Sequence, residues 1–497
     1  KFHFAGSFKK SRGVVDGTQS QGLFYYLKWQ NAFDNHVLSF TVFGAPQNHN
    51  QRKYGTDIQR YDFEYAAEQD IDTTGSEGDY GIYYNPYWGE YNDYQVVYNE
   101  STNSNDTIWG EDKLIARYKN YYHKPIFNFQ HLWEIDEKSS LTNVIYYSTA
   151  NGGGTNWDIG NTAAGLWTNE NQVNFQNLYN ENVGNTELFG QLVSSVDPLY
   201  SETENKSTHI LTSSINNHSW LGALSTYNYK LDENFDFSGG LDLRTYKGEH
   251  YREIYDLLGG DYYVGSNQPG STYIGASNDN VILREGDKLY YHNDGLVRWL
   301  GGFGQVEYNY NNVTAFLNLT GSHKFYKRID YFKKQDLVLE DTTLTQAVGV
   351  NEAIWYDGNR YTLESDEARF AETNWEVFPG YTVKLGANWN IDQHHNVFFN
   401  TGVLSQAPTF ANVFTYDNVS YDLTNNNRVE AVELGYGYRS SDFSLNFNIY
   451  NTVWQNKPQS GPFPLDGGDM GTANLIGMNS LHKGIELDFA WKLSDKI

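Results

Sequence analysis

The chain has 497 residues, among them 41 Tyr, 28 Phe and 13 Trp, yet hydrophobic residues make up only 39% and the formal net charge is −26. That charge excludes a surface built to bind a phosphate backbone, which needs basic side chains. The absence of cysteine excludes disulfides, thiolate metal sites and cysteine nucleophiles.

Taken along the chain, apolar residues recur with period 2. Strands are expected near 1–11, 22–33, 36–46, 120–135, 140–150, 217–231, 235–247, 297–310, 313–326, 378–391, 396–406, 428–440, 442–456 and 480–493, about fourteen in all. Leu241 and Leu243 alternate with Asp242 and Arg244; Val383, Leu385 and Ala387 with Lys384, Gly386 and Asn388; Ile485, Leu487 and Phe489 with Glu486, Asp488 and Ala490. A one-residue slip would exchange the two faces, so this pattern fixes the register. Short polar turns join the strands in pairs, at Asp34-Asn-His36, Asp136-Glu-Lys-Ser139, Asp232-Glu-Asn234, Tyr310-Asn-Asn312, Asp392-Gln-His-His395 and Ser440-Ser-Asp442. Phe33, Trp29, Trp133 and Trp389 fall beside these turns, where an interfacial aromatic belt is expected.

At the opposite ends lie long polar segments, 47–119, 151–215, 248–296 and 328–376, with shorter ones at 407–427 and 458–478. Glu253-Ile-Tyr-Asp-Leu-Leu258, closed by Gly259-Gly260, reads as a short helix within one of them. No apolar run approaches the roughly 18 residues of a membrane helix. A closed barrel, however, also satisfies every backbone group in lipid. An all-β fold follows: a transmembrane antiparallel β-barrel with short periplasmic turns and long extracellular loops. Lys1 opens inside a strand, and Ser494-Asp-Lys-Ile497 reads as a turn leading into another. Residues 1–497 are therefore expected to be one stretch of a single, larger barrel domain. A closed fourteen-stranded porin is the alternative.

Enzyme signatures such as Gly-x-Ser-x-Gly, His-Glu-x-x-His and Gly-x-x-x-x-Gly-Lys are absent from the sequence, so no catalytic residue, cofactor or metal is assigned. His394-His395 reads as a surface turn, and Asn103–Thr107 and Asp466-Gly-Gly-Asp469 as solvated loops without calcium-ligand spacing. Gly152-Gly-Gly154 opens no helix and so is not expected to cradle phosphate. The acidic excess reads as a solvated rim, or more sharply as loops that bind divalent cations or steer a cationic ligand. Tyr87, Trp88 and Tyr91 crowd one loop, with Trp109, Tyr262 and Trp355 in others. Such rings suit sugars, peptides or siderophore-like ligands, or else pack the loops against each other. His49 and Arg52 follow Gly44-Ala-Pro-Gln47 at the expected lumen mouth. Arg52 suits bidentate contact with a carboxylate or phosphate, or a salt bridge to a wall or plug acid.

Several stretches, in order, resemble the barrels of TonB-dependent receptors of the Bacteroidetes type. They are Gly13-Val-Val-Asp-Gly17, Leu38 through Arg52, Asn400 through Phe410, the Glu433-Leu-Gly435 strand within Arg428–Tyr438, and Gly484-Ile-Glu-Leu-Asp488. The family's Leu-Lys-Pro-Glu run has no counterpart here, where Thr424-Asn-Asn-Asn427 stands in its place. The resemblance implies a barrel of about twenty-two strands around a plug, the plug domain being expected upstream of residue 1. It also implies energised import of a siderophore, vitamin, oligosaccharide or peptide across the outer membrane through the TonB complex. Outer-membrane lipid and lipopolysaccharide would be partners, with a surface lipoprotein or larger assembly among the further ones. Asp242, Arg244, Lys384, Asn388, Glu486 and Asp488 would face the lumen, holding the plug and hydrating the path. A passive porin and a structural or adhesive surface barrel are the rival readings.

Overall fold

The computed structural model describes the chain except residues 75–77, 161–164, 189–190, 267–279, 350–352, 370, 416–417, 422–424, 465–469 and 495–497. Asp466–Asp469 and the end of the Ser494–Ile497 turn lie outside the described residues. A single antiparallel sheet dominates. Its staves, in chain order, begin with β1 (Phe2–Ser11), β2 (Ser20–Phe33), β3 (His36–Gly44, resumed at Gln47–Asn50), β4 (Lys119–His123, resumed at Ile126–Glu134) and β5 (Ser139–Ile159). They continue with β6 (His209–Lys230), β7 (Phe235–Asp256), β8 (Lys288–Tyr310), β9 (Val313–Asp330) and β10 (Glu376–Asn390). The last four are β11 (His395–Gln406), β12 (Asn427–Arg439), β13 (Phe443–Pro464) and β14 (Met470–Trp491). Each stave pairs with its neighbours in sequence, an up-and-down meander. β3 and β4 break at the same level of the ladder, beside Pro46 and Pro125, which have no N–H for it.

All six short turns fall where the alternation puts them. Three are nucleated by an aspartate: Asp136 accepts from the Lys138 N–H at 2.8 Å, Asp232 from Asn234 at 2.8 Å, and Asp392 from His394 at 2.8 Å. A carboxylate bound two residues on mimics a backbone turn and closes the hairpin at no core cost. His394-His395 is thus a turn in structure as well. Beside these turns Phe33, His36 and Trp133 stack, with ring centroids 5.4 and 5.5 Å apart.

The other ends depart from the sequence reading. β5, β6, β7, β8, β13 and β14 run on into segments expected to be loops, reaching 21 to 23 residues. At about 3.3 Å per residue such strands are roughly 70 Å long, whereas about 9–11 tilted residues cross a bilayer. Beyond the membrane both faces meet water or folded loop, so the period-2 signal fades while the ladder continues. The expected helix at 253–258 is likewise strand through Asp256, paired to β6 and β8; the chain reverses at Leu258 and Gly259, with φ of +48° and +94°. Six residues are too few to hold a helix against two ready ladders.

Within the register, Leu243 faces the same way as Ala223 and Leu300, and Leu385 as Leu317 and Thr401. That face carries the exposed apolar side chains of the belt, including Leu317, Leu319, Leu434, Ile449, Ile485 and Leu487. The opposite face is polar and looks inward.

Candidate ligand-binding site

The loops above the wall are folded, not loose. After a short α1 (Phe63–Glu68), α2 (Phe175–Asn182) begins at Asn174, whose side chain accepts from the Asn177 N–H at 3.0 Å. It buries Phe175, Leu178 and Tyr179 against Tyr91, Ile115 and Leu258. Asn182 ends the helix as a fully buried pin: its amide donates to the carbonyls of His209, Leu257 and Leu258, and its oxygen accepts from the Thr208 and His209 N–H groups. A second set of apolar groups, Tyr326, Phe378, Val413 and Phe414, folds the segment after β11 back onto the inner wall, where the Tyr326 hydroxyl donates to the Pro408 carbonyl at 2.9 Å.

Several residues singled out for ligand contact are spent on this packing. Tyr91 is 6% exposed and Tyr262 fully buried, so both serve as loop core and correct the expectation that they meet ligand. Among the described residues Arg52 pairs with no carboxylate. It donates to the carbonyls of Ile82 and Tyr84, each at 2.8 Å, and lies 5.2 Å over the Tyr61 ring. Its long side chain thereby clamps two stretches of one loop. Desolvation pushes the Tyr84 phenol up to about 12, so it remains a donor, to the Glu170 carbonyl at 2.7 Å. Trp88 seals the turn before β2: a Cβ on Gly17, at φ +66°, would stand 2.1 Å from its indole. Tyr87 packs edge-on to Tyr118 with centroids 5.2 Å apart. Trp109 (59% exposed) and Trp355 (71% exposed) stand on two separate hairpins, Trp88–Asn99 with Ser104–Ala116, and Ile354–Tyr356 with Asn359–Tyr361. The structure does not gather the eight predicted ligand residues into one site. The register places Asp242, Arg244, Lys384, Asn388, Glu486 and Asp488 together on the face opposite the apolar belt, and Arg244 forks onto Asp242.

What the structure does build is a basin of about 800 Å³ on the inner face, at the outer ends of β4, β5, β6 and β7. Alternate residues supply its surface: Asn120, Tyr122 and Lys124 from β4, Gly152, Gly154 and Asn156 from β5, Ser214, Asn216 and His218 from β6, and Arg252 from β7. Gln51 and Lys53 close the rim, and Gln51 donates to His49 at 2.8 Å, which ties that predicted residue to the basin. Lys119 also borders it, although its ammonium points to the other face and donates to the Tyr255 hydroxyl at 2.9 Å. A basin of this size suits a ligand of small-molecule to oligosaccharide dimensions. A smaller cavity of about 400 Å³ lies between Tyr246, His250, Val297 and Arg328 of the wall and Phe410 and Phe414 of the folded-back segment. Among the described residues no group of three or more His, Asp or Glu is placed to hold a metal ion.

Sequence reasoning missed Asn156 and Arg252 because they lie in strand extensions that read as loop, and Lys124 because nothing in the expected strand 120–135 set it apart. The glycine triplet was the available signal. Glycines in a strand mark a place where something approaches the backbone closely.

No protein-family profile and no curated protein matches the sequence. Solved structures match through the fold. The copper transporter OprC superposes with a TM-score of 0.54 at 9% identity, covering 99% of this chain and 55% of its own. The ferric-catecholate import receptor Fiu from E. coli K12, in its closed form, gives 0.55 at 10% identity, with 99% and 58% covered. The siderophore receptor PiuA from Acinetobacter baumannii gives 0.51 at 11% identity, with 99% and 57% covered. The chain carries the barrel fold of the TonB-dependent outer-membrane receptors. It spans a little over half the length of these three structures. At such identities the likeness is one of fold, and the apolar belt on the outer face suits an outer-membrane wall.

Proposed function

We propose that this chain is the barrel wall of a TonB-dependent outer-membrane transporter of the Bacteroidetes type. It would take a scarce ligand from outside and import it past a plug domain encoded upstream, with energy from the TonB complex. The observation that carries this reading is the inward-facing basin at the outer mouth of a wall with this fold. Of the similar structures, one is named a copper transporter and another a ferric-catecholate import receptor. Lipopolysaccharide contacts the belt in this reading, and a surface lipoprotein or larger assembly is a further partner for the exposed hairpins. The polar inner face, from Asp242 and Arg244 to Glu486 and Asp488, would hold the plug and keep the path wet.

The test is conductance of the full-length protein in planar bilayers. A plugged transporter shows no steady ionic current. A stable ohmic current, as through a porin, would replace import with passive diffusion.

A further inference from the structure

Charge in this molecule is distributed against its average. Despite a net charge of −26, the basin is bordered by Lys53, Lys119, Lys124, Arg252 and His218 and by no Asp or Glu. Lys53, Lys124 and Arg252 belong to the basin itself, among the amides of Gln51, Asn120, Asn156 and Asn216. Arg252 stands between the Tyr290 and Tyr291 rings, 5.4 and 5.7 Å from their centroids, and its Nε is buried with no hydrogen-bond partner. Arg252 lines the basin, and its guanidinium has the shape and fixed charge to take a ligand carboxylate or phosphate there. Asp158, on β5 two residues beyond Asn156, acts on Arg252 through space but does not itself line the basin.

We infer that the basin selects an anionic, hydroxyl-rich ligand carrying several carboxylates, with Arg252, Lys124 and Lys53 as the charge-reading groups and the amides reading hydroxyls. This rests on the import reading and names its substrate class. It also reverses the expectation, drawn from net charge alone, of a cationic ligand. At physiological salt, fields decay over about 8 Å, so acidic loops further away are screened while cations inside the basin are not. Gly154 completes the geometry. A Cβ there would have nothing nearer than 3.9 Å, so its missing side chain leaves open space over the basin floor. The same carboxylate chemistry comes from an acidic oligosaccharide or from a ferric carboxylate chelate.

The experiment is titration calorimetry on the full-length protein in detergent with trigalacturonate, iron(III)-citrate and neutral maltotriose. At least one acidic probe binds, at least about tenfold tighter than maltotriose, and weakens as salt rises. Whichever acidic probe binds tells sugar-borne from chelate-borne carboxylates. R252Q and K124Q each weaken it about tenfold, the loss of one charge-assisted contact. G154F, which fills the space without straining the backbone, abolishes binding while the thermal transition stays in place. Binding of maltotriose as tight as that of both acids, no binding by either acid, or indifference to R252Q overturns the inference. Because binding needs no inner-membrane complex, its failure leaves the import reading intact. Binding combined with porin-like current overturns import and keeps the charge preference.

Discussion

The lipid-embedded wall and the crown of loops above it are stabilised in opposite ways. In the wall the apolar belt is not buried within the chain. Leu243, Leu385 and Leu487 point outward at every second position, and each belongs to a repeating ladder. The crown has cores of its own, and polar atoms hidden from water join its pieces. Asn182 ties α2, the start of β6 and the turn after β7 through five hydrogen bonds. The wall is specified by periodicity and the crown by a few non-local pins, so damage should spread differently in the two regions.

Asn182→Ala should have the largest effect. Its removal leaves several buried carbonyls and N–H groups without partners, each worth about 1–3 kcal/mol, and some reorganisation brings the expected loss to about 4 kcal/mol. Hydrogen exchange followed by mass spectrometry should show faster exchange in α2, in 205–211 and in 257–262, with the staves near the short turns unchanged. Uniform protection after the substitution would mean that the crown is not held by this pin.

Leu385→Arg comes next. Leu385 lies between Leu317 and Thr401 on the outward face, well inside β10. A guanidinium near the bilayer midplane costs about 2–4 kcal/mol in a barrel. The neighbouring Lys384→Arg, on the inner face, should cost less than about 0.5 kcal/mol. Reversible urea unfolding in lipid vesicles checks the contrast, and equal losses at 384 and 385 would contradict the assignment of faces. Asp242→Asn is smaller still. Arg244 keeps 44% of its side-chain surface in solvent and Asp242 18%, so the fork is screened and worth less than about 1 kcal/mol.

The same contrast explains what could be read from the sequence. Fourteen staves and six tight turns were legible because lipid on one face and water on the other impose period 2, and because Asp136, Asp232 and Asp392 nucleate turns locally. The outer halves of β5 through β8 were not legible. Asn151-Gly-Gly-Gly154 and Tyr290-Tyr-His-Asn293 carry no alternation, and their ladders are dictated by neighbouring strands. That Asp242, Lys384 and Glu486 share the face opposite the apolar belt followed from the same alternation. The basin did not, because Lys53, Lys124 and Arg252 are far apart in sequence and converge only through cross-strand register. Tyr91 and Tyr262 were misassigned for a related reason: an aromatic in a polar loop looks alike whether it meets ligand or packs a small core.

Trp355→Ala should change stability least and so gives the finest test of the division. The indole is 71% exposed on a two-stranded hairpin of three residues each side. Exposed substitutions of this kind stay within about 0.5 kcal/mol, so the thermal transition of the full-length protein should not move. An exposed ring of that size nevertheless costs water contact, and its one evident use is to cover a flat ligand or partner face. Calorimetry with the acidic probes, run beside the melt, separates the roles. Weaker binding at unchanged stability makes the hairpin part of ligand capture. Unchanged binding leaves it free for a macromolecular partner. A large drop in stability would show that this hairpin, like α2, belongs to the packed crown.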